Sequence, residues 1–256
     1  MGTLQGLFFD QDGVIIDTER DGHRVSFNET FKEFGFPFEW DVDEYHELLQ
    51  IAGGKERMKH HLQTKGFGRP VKPEEVEDLI ARMHKRKTAL FIEMVESGRL
   101  PLRPGIHRFL REAVAAGLKL AVCTTSSEKA AHAIAYQILK DIPFEVVLAG
   151  DVVSKKKPDP EIYNLALAKT GLGPDDVLVV EDSRNGVLAG KAAGMRVLAT
   201  TNVYTEKEDL SPADAIVTCL GDPGGERAVL TKGPADVVKG GVVHVEAVLK
   251  AFSAAI

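Results

Sequence analysis

Gly6-Leu7-Phe8-Phe9-Asp10-Gln11-Asp12-Gly13 is the stretch that decides the fold. Its apolar part runs without alternation into two acids and a glycine. Such a run reads as a strand buried on both faces, the kind found in parallel sheets. The acids and the glycine read as the turn at its carboxyl end. The same pattern recurs downstream. Strands are expected at 118–123, 145–149, 177–180, 197–199 and 215–217. Helices are expected at 127–138, at 160–170 with Asp159 as its cap, and at 186–193. Alternating strand and helix imply a doubly wound parallel sheet, a Rossmann-like α/β fold with helices on both faces.

One segment breaks the alternation. After Asp17 the apolar residues recur at helical spacing only. Phe27, Phe31 and Phe34 fall on one face, and Val76, Leu79, Ile80, Met83, Leu90 and Met94 form a longer stripe after Pro73. Leu100-Pro101-Leu102-Arg103-Pro104-Gly105 then ends the helix. The expected organisation is a core of residues 1–16 and 99–256 with an all-helical insertion at 17–98. Beyond Gly221 the glycines blur any period.

The length of 256 residues accommodates both parts. A formal net charge of −6 argues against nucleic acid or an anionic membrane surface as partner, so an anionic ligand would have to be held by local cations. Two cysteines, one of them in an apolar run, argue against a disulfide framework and favour a reducing compartment, and Cys123 reads as packing. No apolar stretch approaches the roughly 20 residues that span a bilayer. No leader segment is visible before the first strand.

In such a sheet, ligands bind at the carboxyl ends of the strands. Four of those ends are polar: Asp10-Gln11-Asp12-Gly13, Thr124-Thr125-Ser126, Lys157 within Lys155-Lys156-Lys157-Pro158, and Glu181-Asp182-Ser183. Each alone is ordinary, as an acidic turn, a helix cap or a solvated lysine. Together, in order at one edge, they suit phosphoryl transfer. A phosphate repels a carboxylate nucleophile unless its charge is screened. Mg2+ screens it and takes one or two carboxylates together with substrate oxygens. Asp10 and Asp182 are the expected ligands, with the Asp12 carbonyl. Asp10 is then the covalent nucleophile and Asp12 the general acid and base. Thr124 and Lys157 would hold the phosphate oxygens that do not transfer.

The order Asp10-Gln11-Asp12-Gly13-Val14, Thr124, Lys157, Glu181-Asp182-Ser183 resembles the phosphatase branch of the haloacid dehalogenase superfamily. The resemblance extends to about residue 220. It implies that the insertion is a helical cap that closes over the site, and that Glu181 is a metal ligand or a neighbour of one. Within that branch, Thr18 to Arg24, Phe27 to Phe31, Trp40-Asp41, Gly53 to Met58, Pro101 to Gly105 and Gly150 to Val153 are similar to the CbbY-type phosphatases. One departure is Ser127, where that pattern has asparagine.

The CbbY likeness implies hydrolysis of xylulose-1,5-bisphosphate, an inhibitor of the carbon-fixing carboxylase, to xylulose 5-phosphate. It also implies a chloroplast stroma, or otherwise a bacterial cytoplasm; a monomer is expected. Lys55, Arg57 and Arg103, with the backbone at Gly54, are candidates for the second phosphate. Glu19, His23, Tyr45, Thr125 and Ser126 are candidates for the rest of the substrate. A dehalogenase is rejected, because its halide needs neither a proton from Asp12 nor magnesium. A sugar phosphomutase with the same motifs stays open. A catalytically inactive binding module is disfavoured by the intact Asp10, Asp12, Lys157 and Asp182.

Overall fold

The computed structural model describes residues 4–51 and 53–252. Its main sheet has seven strands: β1 (Gly6–Phe9), β2 (Lys119–Cys123), β3 (Val146–Leu148), β4 (Val177–Glu181), β5 (Arg196–Thr200), β6 (Ala215–Val217) and β7 (Leu230–Lys232). Their spatial order is β3-β2-β1-β4-β5-β6-β7. The first six are parallel, and β7 pairs antiparallel with β6 at the edge. A two-stranded ribbon, β8 (Val238–Lys239) and β9 (Val242–Val243), follows. β1 lies in the middle, and every residue of β1 and β4 is buried. That double burial explains why both read as unbroken apolar runs.

The chain divides into two compact units, one made of residues up to Asp17 together with those from Pro101 onward, the other Thr18–Leu100. The second unit opens with a π-helical turn, Thr18–His23, and contains α1 (Arg24–Glu33), α2 (Val42–Leu48), α3 (Gly54–Thr64) and α4 (Val76–Glu96). Among the described residues it has no strand. Its core is aromatic. Trp40 is fully buried, with ring centroids 4.8 Å from Phe27 and 4.7 Å from Phe31. Asn28 clamps the Trp40 backbone through both its N–H and its C=O, at 2.9 Å each. The sequence pattern around Phe27, Asn28, Phe31 and Trp40 is thus a packing pattern. Phe34, expected on the same face, lies just past the end of α1 and is only half-buried.

The first unit contributes α5 (Ile106–Ala115), α6 (Glu128–Ala133), α7 (Glu161–Thr170), α8 (Arg184–Ala192) and α9 (Val245–Phe252). Ile162, Tyr163 and Ala166 of α7 and Val187 and Ala189 of α8 pack with Phe8, Ala121, Val179 and Val197 on one sheet face. Phe109 of α5 meets Phe9 edge-on at 6.3 Å on the other. The expected helix at 127–138 is α6 followed by a π-helical turn, Ile134–Ile138. Ser127 caps α6 by accepting the Ala130 N–H. Asp159 accepts the Glu161 N–H at 3.1 Å and so serves the start of α7. No helix among the described residues is long and apolar enough to cross a membrane.

Candidate active site

Register decides which side chains meet. Phe9 lies between Val122 and Val180, so Asp10, Cys123 and Glu181 come level at the carboxyl edge, with Asp182 and Thr124 one residue beyond. Asp10, Glu181 and Asp182 are buried, and each offers an oxygen within 4.8 Å of the others. Lys157, on the loop before α7, has its Nζ at 2.5 Å from Asp10 Oδ1, 2.6 Å from Glu181 Oε1 and 2.9 Å from the Cys123 carbonyl, and donates to all three. The Tyr163 hydroxyl donates to the same Glu181 oxygen at 2.6 Å. Asp182 Oδ2 accepts from Asn202 Nδ2 at 2.7 Å.

This grouping is out of electrostatic balance. Among the described residues, Lys157 forms ion pairs with Asp10 and Glu181 and not with Asp182. Ionised together, the three carboxylates leave two negative charges uncompensated by it in a site where each buried ion costs several kcal/mol of desolvation. Burial pushes the Asp10 carboxyl up to about 8, despite the opposing pull of Lys157. Burial, with Asp10 and Glu181 adding to it, also raises Asp182 well above the usual carboxylate range. Burial works against the Lys157 charge too, but Asp10 and Glu181 more than offset it and the ammonium is held above its ordinary value. A hard divalent cation among the oxygens of Asp10, Glu181 and Asp182 would remove the imbalance. The donor set fits Mg2+: it is all oxygen, anionic and compact.

Asp12 belongs to the turn after β1. Its Oδ2 accepts a hydrogen bond from Ser126 Oγ and one of 3.4 Å from Thr124 Oγ1. Thr124 Oγ1 in turn accepts the Ser126 N–H at 3.1 Å. Thr125 is exposed. The turn closes when Ile15 N–H and Ile16 N–H both donate to the Gln11 carbonyl, at 2.9 and 3.1 Å. Gly13 sits there at φ +81°, and a Cβ on it would lie 2.0 Å from Asp182 Oδ2. Only glycine fits.

A family model for haloacid dehalogenase-like hydrolases matches residues 4–194. The chain belongs to the haloacid dehalogenase-like hydrolases. A CBBY-like protein of Arabidopsis thaliana is 50% identical over 225 residues, covering 86% of this chain and 70% of its own. A phosphorylated carbohydrates phosphatase of Thermotoga maritima is 29% identical over 83% of this chain and 93% of its own. In structure the chain is similar to a mutant CbbY of Rhodobacter sphaeroides solved with xylulose-(1,5)bisphosphate. The TM-score is 0.63 at 38% identity, over 87% of this chain and 97% of that one. With relatives of these kinds, this hydrolase is a phosphatase.

The helical unit of this phosphatase holds a second polar cluster. The Tyr45 hydroxyl donates to Glu19 Oε2 at 2.7 Å. Arg57 donates to the Ile51 carbonyl at 2.9 Å and to the Tyr45 oxygen at 3.4 Å. His23 Nδ1 lies 2.8 Å from the Lys87 ammonium. Burial first, then Lys87 and Arg57, pull His23 down to about 3, so its ring is neutral and Nδ1 accepts. Burial brings Lys87 down to about 8. Lys55 is exposed at the start of α3. Gly54 has a packing reason to be glycine: a Cβ there would meet the Phe27 ring at 2.9 Å and His84 at 3.1 Å.

Arg103 does not sit as expected of a phosphate-binding cation. Its guanidinium donates to the Gly13 carbonyl, Thr200 Oγ1 (2.6 Å), the Thr201 carbonyl (2.6 Å) and the Thr218 carbonyl (3.1 Å). Its donors are taken by loops of its own unit, and it ties three of them together.

Three residues at these clusters escape sequence reading: Lys87, Tyr163 and Asn202. Lys87 had a signal, because it falls in phase with Met83, Leu90 and Met94 on the buried face of α4. A lysine in an apolar stripe has to be explained. Asn202 had one too, as the polar residue just past a fifth strand. Tyr163 had none, being one more aromatic in an amphipathic helix.

Proposed function

We propose that this phosphatase uses Mg2+ and an aspartyl-phosphate intermediate on Asp10, and that its substrate is the sugar bisphosphate xylulose-1,5-bisphosphate, converted to xylulose 5-phosphate. That reaction removes an inhibitor of the carbon-fixing carboxylase. The observation that carries the reading is the buried triad Asp10, Glu181 and Asp182 with Lys157 reaching Asp10. A buried group of three carboxylates with one ammonium suits a cation and a phosphate.

Asp10, Glu181 and Asp182 would hold the cation, with the Asp12 carbonyl, and it would supply screening of the phosphate charge. A carboxylate oxygen of Asp10 attacks phosphorus, and the bond from phosphorus to the sugar oxygen breaks. The Asp12 carboxyl gives its proton to that departing oxygen. Water then attacks the phosphorus of the aspartyl phosphate, Asp12 takes the water's proton, and inorganic phosphate leaves with Asp10 restored. Lys157 and Thr124 bind phosphate oxygens throughout. Lys55 and Arg57 are assigned to the second phosphate, and Glu19, His23 and Tyr45 to sugar hydroxyls. The CbbY complex with xylulose-(1,5)bisphosphate supports the choice of substrate.

The test is phosphate release from ketose and aldose mono- and bisphosphates in Mg2+, by wild type and by Asp10→Asn. Xylulose-1,5-bisphosphate should give the highest kcat/KM, and Asp10→Asn should give none. Phosphoryl transfer between sugar positions without free phosphate would instead mean a mutase. Turnover by Asp10→Asn would refute the chemistry.

A further inference from the structure

Asp182 has two carboxylate oxygens, and a compact cation site needs one of them turned inward. Oδ2 is already engaged by Asn202 Nδ2 at 2.7 Å. The direction of that amide is not free. Asn202 Oδ1 accepts the backbone N–H of Tyr204 at 2.9 Å and of Thr205 at 3.1 Å. Flipping the amide would point its NH2 group at two N–H donors and its oxygen at a carboxylate, losing three hydrogen bonds together. Asn202 therefore presents a donor to Asp182, and only a donor.

The loop that carries Asn202 is itself anchored. Arg103 binds Thr200 Oγ1 and the Thr201 carbonyl just before it, and also the Gly13 carbonyl. A Cβ on Gly13 would lie 2.0 Å from Asp182 Oδ2 and 2.8 Å from Asn202 Nδ2, so the β1 turn closes over the same oxygen. Two segments distant in sequence, the Gly13 turn and the Asn202 loop, thus meet at Oδ2, and Arg103 ties them to each other. The donor they bring to it is neutral, so the pocket keeps the negative charge that a cation needs.

We infer that Asn202 is a positioning residue of the cation centre, which fixes Oδ2 of Asp182 and leaves Oδ1 to face the ion. This rests on the Mg2+ reading above. Partners that orient a metal ligand are typically worth about 10- to 100-fold in metal affinity.

The test uses Mn2+ as probe on the full-length protein, with affinity measured by calorimetry and melting followed separately in EDTA. Asn202→Ala should weaken Mn2+ binding by about 10- to 100-fold, beyond what the fall of its Tm in EDTA, where the bonds from Tyr204 and Thr205 to Oδ1 are also lost, accounts for. Raising Mg2+ should then restore much of kcat, with KM for the phosphate ester unchanged at saturating metal. Asn202→Asp keeps both backbone contacts of Oδ1 but replaces the donor with an acceptor. It should lose kcat even if the alanine variant fails to fold. Wild-type Mn2+ affinity in Asn202→Ala, wild-type kcat in Asn202→Asp, or a Tm loss in EDTA that accounts for the weakened binding would each overturn the assignment. Failure of the wild-type protein itself to bind Mn2+ would overturn the cation reading instead.

Discussion

Gly186 offers a severe test of how tightly the carboxylate cluster is built. It lies in the first turn of α8, where alanine would ordinarily gain up to about 0.5–1 kcal/mol over glycine. Here a Cβ would fall 2.0 Å from both Cδ and Oε2 of Glu181, against 3.4 Å or more for ordinary contact. Glu181 is fully buried and has to retreat by more than an ångström. Retreat breaks its bonds from Lys157 and Tyr163, both 2.6 Å long. Hydrogen bonds to a charged group contribute about 1.5–3 kcal/mol each, so the loss is about 3–6 kcal/mol before the helix gain. Gly186→Ala should therefore lower stability by about 2–5 kcal/mol, read as a shift of the urea midpoint in EDTA. Its kcat should fall too, because Lys157 loses an anchor. A Gly186→Ala protein as stable as wild type would show that Glu181 is not held in this way.

Without a cation, burial puts Asp10 at about 8 instead of 3.8, so the folded state keeps a proton that the unfolded chain has released. That raised value costs stability as pH climbs from about 4 to about 8, and bound Mg2+ cancels the cost. The Tm gain on adding Mg2+ should be small at pH 5 and large at pH 8, and equal gains would contradict the charge argument. Lys55→Ala should cut kcat/KM for a sugar bisphosphate about ten- to a hundredfold and leave a monophosphate nearly untouched. Arg57→Ala should also lower the Tm, since Arg57 braces Ile51 and Tyr45, and a Tm equal to that of Lys55→Ala would remove its structural part. Neither polar atom of the buried Gln11 amide has a hydrogen-bond partner among the described residues. Gln11→Leu should raise stability by about 1–3 kcal/mol in urea titration, and a loss would mean the amide is satisfied in solution.

What was legible in the sequence was whatever burial writes locally. β1, β2 and β4 are covered on both faces, so their residues are apolar in succession and their ends fall within a residue of expectation. Asp10, Asp12 and Asp182 stand out because each interrupts or follows such a run. β7, β8 and β9 were not legible. They have two or three residues each, too few for a period, among Gly221, Gly224, Gly225, Gly233, Gly240 and Gly241. Arg103 misled for another reason. Its acceptors lie at Gly13, Thr200, Thr201 and Thr218, and nothing near Arg103 in the sequence says that these loops converge on it. A charge is visible in sequence; what it faces is a tertiary fact.

The π-helical turn Thr18–His23 makes spacing itself a constraint. A π turn holds one residue more than an α turn, and reverting it would rotate everything on one side by about 100° relative to the other. Glu19 and His23 stand at opposite ends of it, one bonded to Tyr45 and the other to Lys87. Removing a single residue between them would break one of those partnerships even if every named side chain survived. In this stretch a length change of one is as damaging to the Glu19–Tyr45 and His23–Lys87 contacts as the loss of a side chain.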